Sequence, residues 1–123
     1  MAYLLIEGEF TNKAEQVYQD DNNWTAPYLW RSEFRNILAL YLRKKYLSVA
    51  EAKSKMEIAQ RILARKEFEL KSEEILDLAA NSSLSAYDCE YVLLAQKLKI
   101  KLVTSDRKIL RSFSECTVDL SKW

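Results

Sequence analysis

The sequence contains no histidine and only one glycine, Gly8. The lack of histidine excludes His-ligated zinc sites and the usual Ser-His and Cys-His nucleophile systems. The scarcity of glycine excludes the loops that cradle phosphate groups in nucleotide-binding proteins, and also the dinucleotide-binding fingerprint. Any enzymatic chemistry would therefore depend largely on carboxylates, which suit hard cations such as Mg²⁺ or Mn²⁺.

Cysteine is scarce, and long apolar runs are missing. Cys89 and Cys116 are far apart and form no CxxC motif, which favours a reduced setting with both as small core residues. No apolar run is long enough to span a membrane, and the apolar start, MAYLLI, is too short for the core of a signal peptide. We therefore expect a cytoplasmic protein with no membrane partner.

Neither sign of charge dominates the sequence. The chain has 19 Lys and Arg residues against 18 Asp and Glu, for a net charge of +1. This is not the profile of a strongly basic nucleic-acid-binding protein. Any contact with nucleic acid is therefore expected to be local rather than the effect of a general positive field.

Hydrophobic spacing and capping residues predict helices that alternate with short strands in one domain over residues 1–123. The predicted helices cover residues 1–6, 11–19, 27–42, 48–65, 72–80 and 85–99, with a short one from Arg107. The predicted strands cover residues 24–27, 68–71, 100–104 and 116–120. This alternation favours an α/β fold with a parallel sheet covered by helices on both faces.

Three acidic residues are candidates for a metal site. Glu33 falls within the apolar stripe of helix 27–42, where a carboxylate is costly to bury unless something compensates it. Asp106 follows strand 100–104, and Asp88 lies in the first turn of the helix before that strand. In parallel α/β sheets the ligand crevice lies beyond the carboxyl ends of the strands. We therefore predict that Glu33, Asp88 and Asp106 share a metal ion at one end of one sheet.

Each of these acids also has a simpler interpretation. Asp88 could be only the reciprocal partner of a helix cap, and Asp106 only a turn or helix-start residue. Glu33 could pair with Arg61 or Arg65, or lie at the edge of its apolar stripe. A set of basic residues is interpreted as a solvated face rather than an RNA track: Arg31, Arg35, Arg107, Lys108 and Arg111.

Two segments of the sequence resemble the PIN-domain family. The segment SAYDCEYVLLAQKLKIKLVTSDRKIL (85–110) is similar to the second half of a PIN domain, where a YDaxYvaLA helix start precedes a strand and LvTxDrkl. The segment APYLWRSEFRNIL (26–38) is similar to the family's second acidic segment, in which a glutamate sits in SExxN. Among PIN domains, the sequence most resembles the VapC-like ribonuclease toxins of toxin–antitoxin modules.

This resemblance implies a Mg²⁺- or Mn²⁺-dependent endoribonuclease that acts on RNA, forms a homodimer and binds a small antitoxin protein. Carried over by motif, the catalytic and metal-binding acids are Glu33, Asp88 and Asp106, and Thr104 is a polar neighbour. A divalent cation would offset the repulsion between the carboxylates, on the order of 4 kcal/mol for a pair roughly 4 Å apart at an effective dielectric of about 20. A water bound to that cation would act as the nucleophile on the phosphodiester.

The front of the sequence departs from the family pattern. The family opens with a central strand that ends in DTN, whose aspartate is the first metal ligand, whereas this sequence starts at MAYLL, as if just after it. With the family's strand order of 3-2-1-4-5, this predicts a PIN-like, Rossmann-like three-layer fold whose N-terminal central strand is missing.

Two consequences are expected from the missing strand, whether a misassigned start codon or real divergence explains it. The first is a gap between strands 24–27 and 100–104, or a replacement strand from a partner chain. The second is that the 123-residue chain cleaves RNA poorly or not at all, while a version extended by an apolar strand and DTN cleaves it with Mg²⁺ or Mn²⁺.

Two other interpretations stand beside the ribonuclease. A catalytically silent PIN-like scaffold would bind an antitoxin-like partner helix on the surface formed by helices 28–44 and 48–66. An unrelated α/β domain with a flavodoxin-like sheet is the third interpretation, and the absence of a phosphate-binding loop counts against a nucleotide-binding role for it.

Overall fold

The computed structural model describes residues 11–123, so the helix predicted over residues 1–6 lies outside the described residues. Over these residues the chain is mixed α/β and mostly helical, with six α-helices and four short strands. Its internal contacts group it into two compact units, which divide between Glu67 and Phe68. Each unit is described below by itself, and the single PIN-like domain over residues 1–123 stays a prediction.

The elements follow the predicted order. In the first unit they are α1 (Thr11–Asp20), β1 (Ala26–Pro27), α2 (Leu29–Arg43) and α3 (Val49–Ile62), with β2 (Glu67–Phe68) at the boundary between the units. In the second unit they are α4 (Ser72–Ala80), α5 (Ala86–Leu98), β3 (Leu102–Thr104), α6 (Arg107–Ser112), β4 (Thr117–Asp119) and a 3₁₀ turn (Leu120–Lys122).

Helix starts agree with the predicted caps at two places. The Ser48 side chain accepts a hydrogen bond from the Glu51 N–H, and the Glu51 side chain accepts one from the Ser48 N–H, so the predicted capping box is present at α3. At α5, the Ser85 side chain accepts from the Asp88 N–H. These bonds satisfy backbone donors that have no partner inside the helix, and this is why both helices begin there.

Pro27 is placed differently from the prediction. The sequence predicted that it opens a helix, but it is the second residue of β1 and is fully buried, and α2 begins at Leu29. The fixed φ of proline, near −65°, suits an extended segment as well as a first helical turn. Sequence spacing therefore did not distinguish the two positions.

The first unit is built on helix α2 packed against helix α3. α2 buries Trp30, Phe34 and Leu38, which are four residues apart and therefore share one face. α3 contributes small residues, among them Ala59, which has no exposed surface.

The second unit has a separate core. Leu84, Cys89, Val92 and Ile109 form a buried cluster, against which partly buried residues from β3 and from the end of α6 pack. α4 packs on α5. This core fixes β3 and the start of α6 relative to α5, and those elements carry two of the three predicted acids.

The four strands form two separate pairs in the described part of the chain. β1 pairs with β2, and β3 pairs with β4 in parallel, with Thr104 opposite Asp119 at the end of the register. The Ala26 N–H donates to the Lys66 carbonyl oxygen at 3.1 Å beside the first pair. The pairing shows two separate two-stranded sheets within residues 11–123. The expected gap between strands 24–27 and 100–104 stays a prediction, because these strands belong to different units.

The scarcity of glycine has a structural consequence at the ends of helices. Lys45, Arg65 and Lys99 adopt positive φ values of 59°, 62° and 55°. Lys99 follows the last residue of α5, and beyond it the Ile100 N–H donates to the Ala95 carbonyl oxygen at 3.0 Å. This left-handed position is usually occupied by glycine, because a Cβ atom costs roughly 1–2 kcal/mol there.

Replacing Lys99 with glycine should therefore stabilise the protein. We expect Lys99→Gly to raise the free energy of unfolding by about 0.5–1 kcal/mol, since removal of the Cβ strain exceeds the added entropy of the unfolded chain. Gln96→Gly, in the last turn of the same helix, is the matched control and should lower it by about 1 kcal/mol. Urea unfolding at 25 °C measures both. Equal destabilisation by the two variants would show that Lys99 is not strained.

Candidate functional site

Asp106 lies two residues past the end of β3 and begins helix α6. Its Oδ1 atom accepts hydrogen bonds from the Lys108 N–H at 2.9 Å and the Ile109 N–H at 3.1 Å. The Asp106 N–H donates to the Thr104 hydroxyl oxygen at 3.1 Å. Asp106 is therefore a helix cap, as the simpler interpretation held, and the Thr104 hydroxyl is one of its hydrogen-bond partners.

Asp119 lies at the same end of the β3–β4 pair. It is the last residue of β4, in register with Thr104. Its Oδ1 atom accepts from the Ser121 N–H at 2.9 Å and from the Ser121 hydroxyl at 2.8 Å, and its Oδ2 atom accepts from the Arg107 guanidinium at 3.1 Å. The bonds from Ser121 are the main reason that the pKa of Asp119 lies below its ordinary value, and the Arg107 charge adds to the effect. This edge therefore carries two carboxylates, Asp106 and Asp119, and one fixed guanidinium.

Asp88 is in the first turn of α5. Its N–H donates to the Ser85 hydroxyl oxygen at 3.1 Å, and the residue is half-buried. The next residue, Cys89, is fully buried in the core of the second unit. The packing of Cys89 fixes the rotation of the helix, and with it the direction from which Asp88 leaves the backbone.

The structure corrects one argument about Glu33. The sequence placed it inside the apolar stripe of its helix, facing a metal that would compensate for its burial, but Glu33 is exposed. Phe34 is the most buried residue of the face, at 2% exposure. Because Glu33 is not buried, its carboxylate needs no cation to compensate for a loss of solvent. Of the two proposed arginine partners, Arg61 forms an ion pair with Glu57, one turn earlier on its own helix.

A three-residue metal site is not assembled in either unit, as far as residues 11–123 go. No group of three Asp, Glu or Cys side chains is placed so that it could hold a metal ion there. Asp88 and Asp106 belong to the second unit and Glu33 to the first. The shared metal site remains a prediction that depends on acids from both units.

A second polar cluster joins the start of α2 to β2. The Glu67 carboxylate accepts hydrogen bonds from Trp30 Nε1 at 2.8 Å, Arg31 Nε at 2.5 Å and Arg31 Nη2 at 2.6 Å. The Glu67 side chain is 7% exposed, against 38% for Arg31. The Arg31 bonds hold the pKa of Glu67 below its ordinary value. Arg31 also lies over the Tyr28 ring, 5.9 Å from its centre.

Sequence reasoning missed Asp119 and Glu67 as site-forming residues. Asp119 could have been found by placing strand 116–120 beside strand 100–104 in parallel, since the last residues of paired parallel strands meet at one edge. Glu67 had no such signal, because its partners Trp30 and Arg31 are more than 35 positions away in the chain. Arg31 and Arg107, which the sequence assigned to a solvated face, each bind a carboxylate, and the Arg107 side chain stays 70% exposed.

Comparison with known proteins does not add an identity to this geometry. No family model matches the sequence, and no curated protein matches it. Within the described residues, no helix is both long enough and apolar enough to cross a membrane.

Proposed function

We propose that the protein is a metal-dependent endoribonuclease of the PIN type, similar to VapC-like toxins, that hydrolyses RNA phosphodiester bonds. Glu33, Asp88 and Asp106 are its catalytic acids and would hold Mg²⁺ or Mn²⁺, with Thr104 supporting Asp106. A cognate antitoxin protein and a second copy of the chain are its proposed partners, in the cytoplasm.

The observation that carries this proposal is the arrangement around Asp106. The acid lies just beyond the carboxyl end of a parallel strand, and its N–H is held by the Thr104 hydroxyl. In sheets of parallel strands this edge is where ligands bind. The β1–β2 and β3–β4 pairing also supports the proposal, since strands 2 and 3 and strands 4 and 5 are neighbours in a sheet of order 3-2-1-4-5.

The donor chemistry of these residues suits a hard divalent cation. Magnesium requires only one or two carboxylate ligands, because water completes its coordination. Both hydrogen bonds that Asp106 accepts from the start of α6 reach its Oδ1 atom, so neither of them occupies its Oδ2 atom. When bound, the metal would supply Lewis acidity and a nucleophilic water.

Metal binding gives a test that is independent of cleavage. Mn²⁺ that binds only the folded state should raise the free energy of unfolding by RT ln(1 + [L]/Kd), about 1.4 kcal/mol at ten times Kd. Asp106→Asn should lose this gain but keep its fold, because asparagine also caps helices well. Asp77→Asn, an exposed acid of α4, is the control and should keep the gain. Thermal unfolding with and without Mn²⁺ measures all three.

Two outcomes of this experiment would count against the proposal. If the wild-type midpoint does not move with Mn²⁺, the acids are only caps and turn residues. If Asp106→Asn gains as much stability as the wild type, the metal binds elsewhere.

A second candidate function, a binding scaffold, is favoured by an open surface on one face of helix α3. This surface is formed by Ala50, Glu51, Ser54, Lys55 and Ile58. Ile58 is 40% exposed, and nearby in the chain Val49 is 59% exposed. An amphipathic partner helix could bury these side chains. A scaffold predicts no stabilisation by Mn²⁺ and no cleavage of RNA, so the experiments on the ribonuclease separate the two functions.

A further inference from the structure

Arg107 is fixed at the edge of the β3–β4 pair, next to Asp106. It is the first residue of α6, and its Nη1 atom donates to Asp119 Oδ2 at 3.1 Å. Asp119 ends β4 in register with Thr104, whose hydroxyl holds the Asp106 N–H. The guanidinium of Arg107 therefore lies at the carboxyl ends of both strands, where the proposed function places the RNA.

The two members of this ion pair differ in exposure. The Asp119 side chain is 11% exposed and its carboxylate is also bonded by Ser121, whereas the Arg107 side chain is 70% exposed. A pair with one member so exposed contributes little to stability. Its main effect is to hold a solvent-facing guanidinium in one place. The guanidinium has five N–H donors in a planar fork, which suits phosphate oxygens.

The rest of helix α6 is basic as well. Its sequence is RKILRS, with no acidic residue, and Lys108 and Arg111 are both exposed. Arg107 and Arg111 are four residues apart and so lie on the same side of the helix. Because the net charge of the whole chain is only +1, this is a local basic face of the kind needed for contact with a phosphate backbone.

We propose that Arg107 binds a phosphate of the RNA strand beside Asp106, and that Asp119 is the positioning residue that holds its guanidinium there. The inference rests on the proposed function for the identity of the ligand. It adds the residue that binds the backbone of the substrate and the residue that orients it.

The test measures RNA binding without cleavage. The dissociation constant of a labelled single-stranded oligouridylate is measured by fluorescence anisotropy in EDTA, at several salt concentrations. Each phosphate contact with a single strand contributes about −0.7 to the slope of log K against log salt. Arg107→Gln should weaken binding about fivefold to tenfold and reduce the steepness of the slope by about 0.7. Arg107→Lys should keep the slope but bind more weakly, because it lacks the planar fork.

Arg61→Gln is the matched control. Arg61 is also an exposed arginine in an ion pair with a carboxylate, on helix α3 of the first unit. The Arg61→Gln substitution removes the same charge and should leave both the affinity for the oligouridylate and its salt dependence unchanged. Equal effects of Arg107→Gln and Arg61→Gln, or no binding of the oligouridylate by the wild type, would overturn the proposal.

The positioning role of Asp119 is tested by a double-mutant cycle. Asp119→Asn should weaken RNA binding in the wild-type background and not in the Arg107→Gln background. Equal weakening in both backgrounds would show that Asp119 only supports the fold.

Cleavage with Mn²⁺ separates this inference from the proposed function. If Arg107→Gln loses RNA binding but the wild type does not cleave RNA, only the proposed ribonuclease activity is rejected. If the wild type cleaves RNA and Arg107→Gln cleaves it equally well, only the proposed phosphate contact is rejected.

Discussion

Asp88→Asn is expected to reduce RNA cleavage by at least about a hundredfold, under single-turnover conditions with excess protein and Mn²⁺. An amide in place of the carboxylate removes the negative charge that would hold the metal, so that the water nucleophile loses its position. The fold should survive, because the hydrogen bond at this helix start joins the Asp88 N–H to Ser85, and asparagine keeps that N–H. Loss of activity would therefore report on chemistry rather than folding.

The control for this prediction is Asp77→Asn, which makes the same chemical change on an exposed acid in the last turns of α4. We expect it to cleave RNA at the wild-type rate. Cleavage that survives in Asp88→Asn, or that falls equally in both variants, would remove Asp88 from the proposed site. Glu33→Gln and Asp106→Asn should resemble Asp88→Asn if the three acids act together.

The second large effect is expected at Glu67, which holds the start of α2 through Trp30 and Arg31. Glu67→Gln should lower the free energy of unfolding at pH 7 by about 2 kcal/mol. Removing one member of a fully buried ion pair usually costs more than about 2 kcal/mol, because the other charge is left buried without a partner. Here the cost is smaller, because the Arg31 guanidinium left behind is partly exposed to solvent. Glu57→Gln is the control, because it breaks an exposed ion pair with Arg61, and it should cost less than about 0.5 kcal/mol.

The effect at Glu67 should also depend on pH. Its pKa is lowered in the folded protein, mainly by the hydrogen bonds from Arg31. The stabilisation is therefore fully present above the ordinary glutamate pKa of about 4.3 and is lost as pH falls through the lowered value. Urea unfolding of the wild type and of Glu67→Gln should give stabilities that begin to converge as pH falls below about 4.3 and meet below the lowered pKa of Glu67. A difference that persists undiminished at low pH would show that the charge of Glu67 is not what stabilises this cluster.

The order of helices and strands could be predicted from the sequence because its signals are local. The capping residues Ser48 and Ser85 start helices where the sequence indicated, and the end of α5 falls one residue before the predicted one. Strand lengths were less predictable. The strand predicted over residues 68–71 is reduced to Glu67–Phe68, since short strands depend on distant partners rather than on their own residues.

The error at Glu33 has a simple geometric cause. At about 100° per residue, Trp30, Phe34 and Leu38 define a buried face centred near Phe34, and Glu33 lies about 100° from that centre. The spacing of three and four residues in the sequence could not show whether Glu33 lies on the buried face of the helix or at the edge of that face. The clusters at Glu67 and Asp119 join residues that are distant in sequence, and only the folded chain brings them together.

The most direct test of the proposed ribonuclease is cleavage of single-stranded RNA by the purified wild-type protein, compared in Mn²⁺ and in EDTA. We expect slow cleavage that requires Mn²⁺ and disappears in Asp88→Asn prepared in the same way. A wild-type protein that cleaves RNA equally well in EDTA would contradict the proposed function. So would an inert wild-type protein, if the version extended by an apolar strand and DTN also leaves several RNAs intact in Mn²⁺.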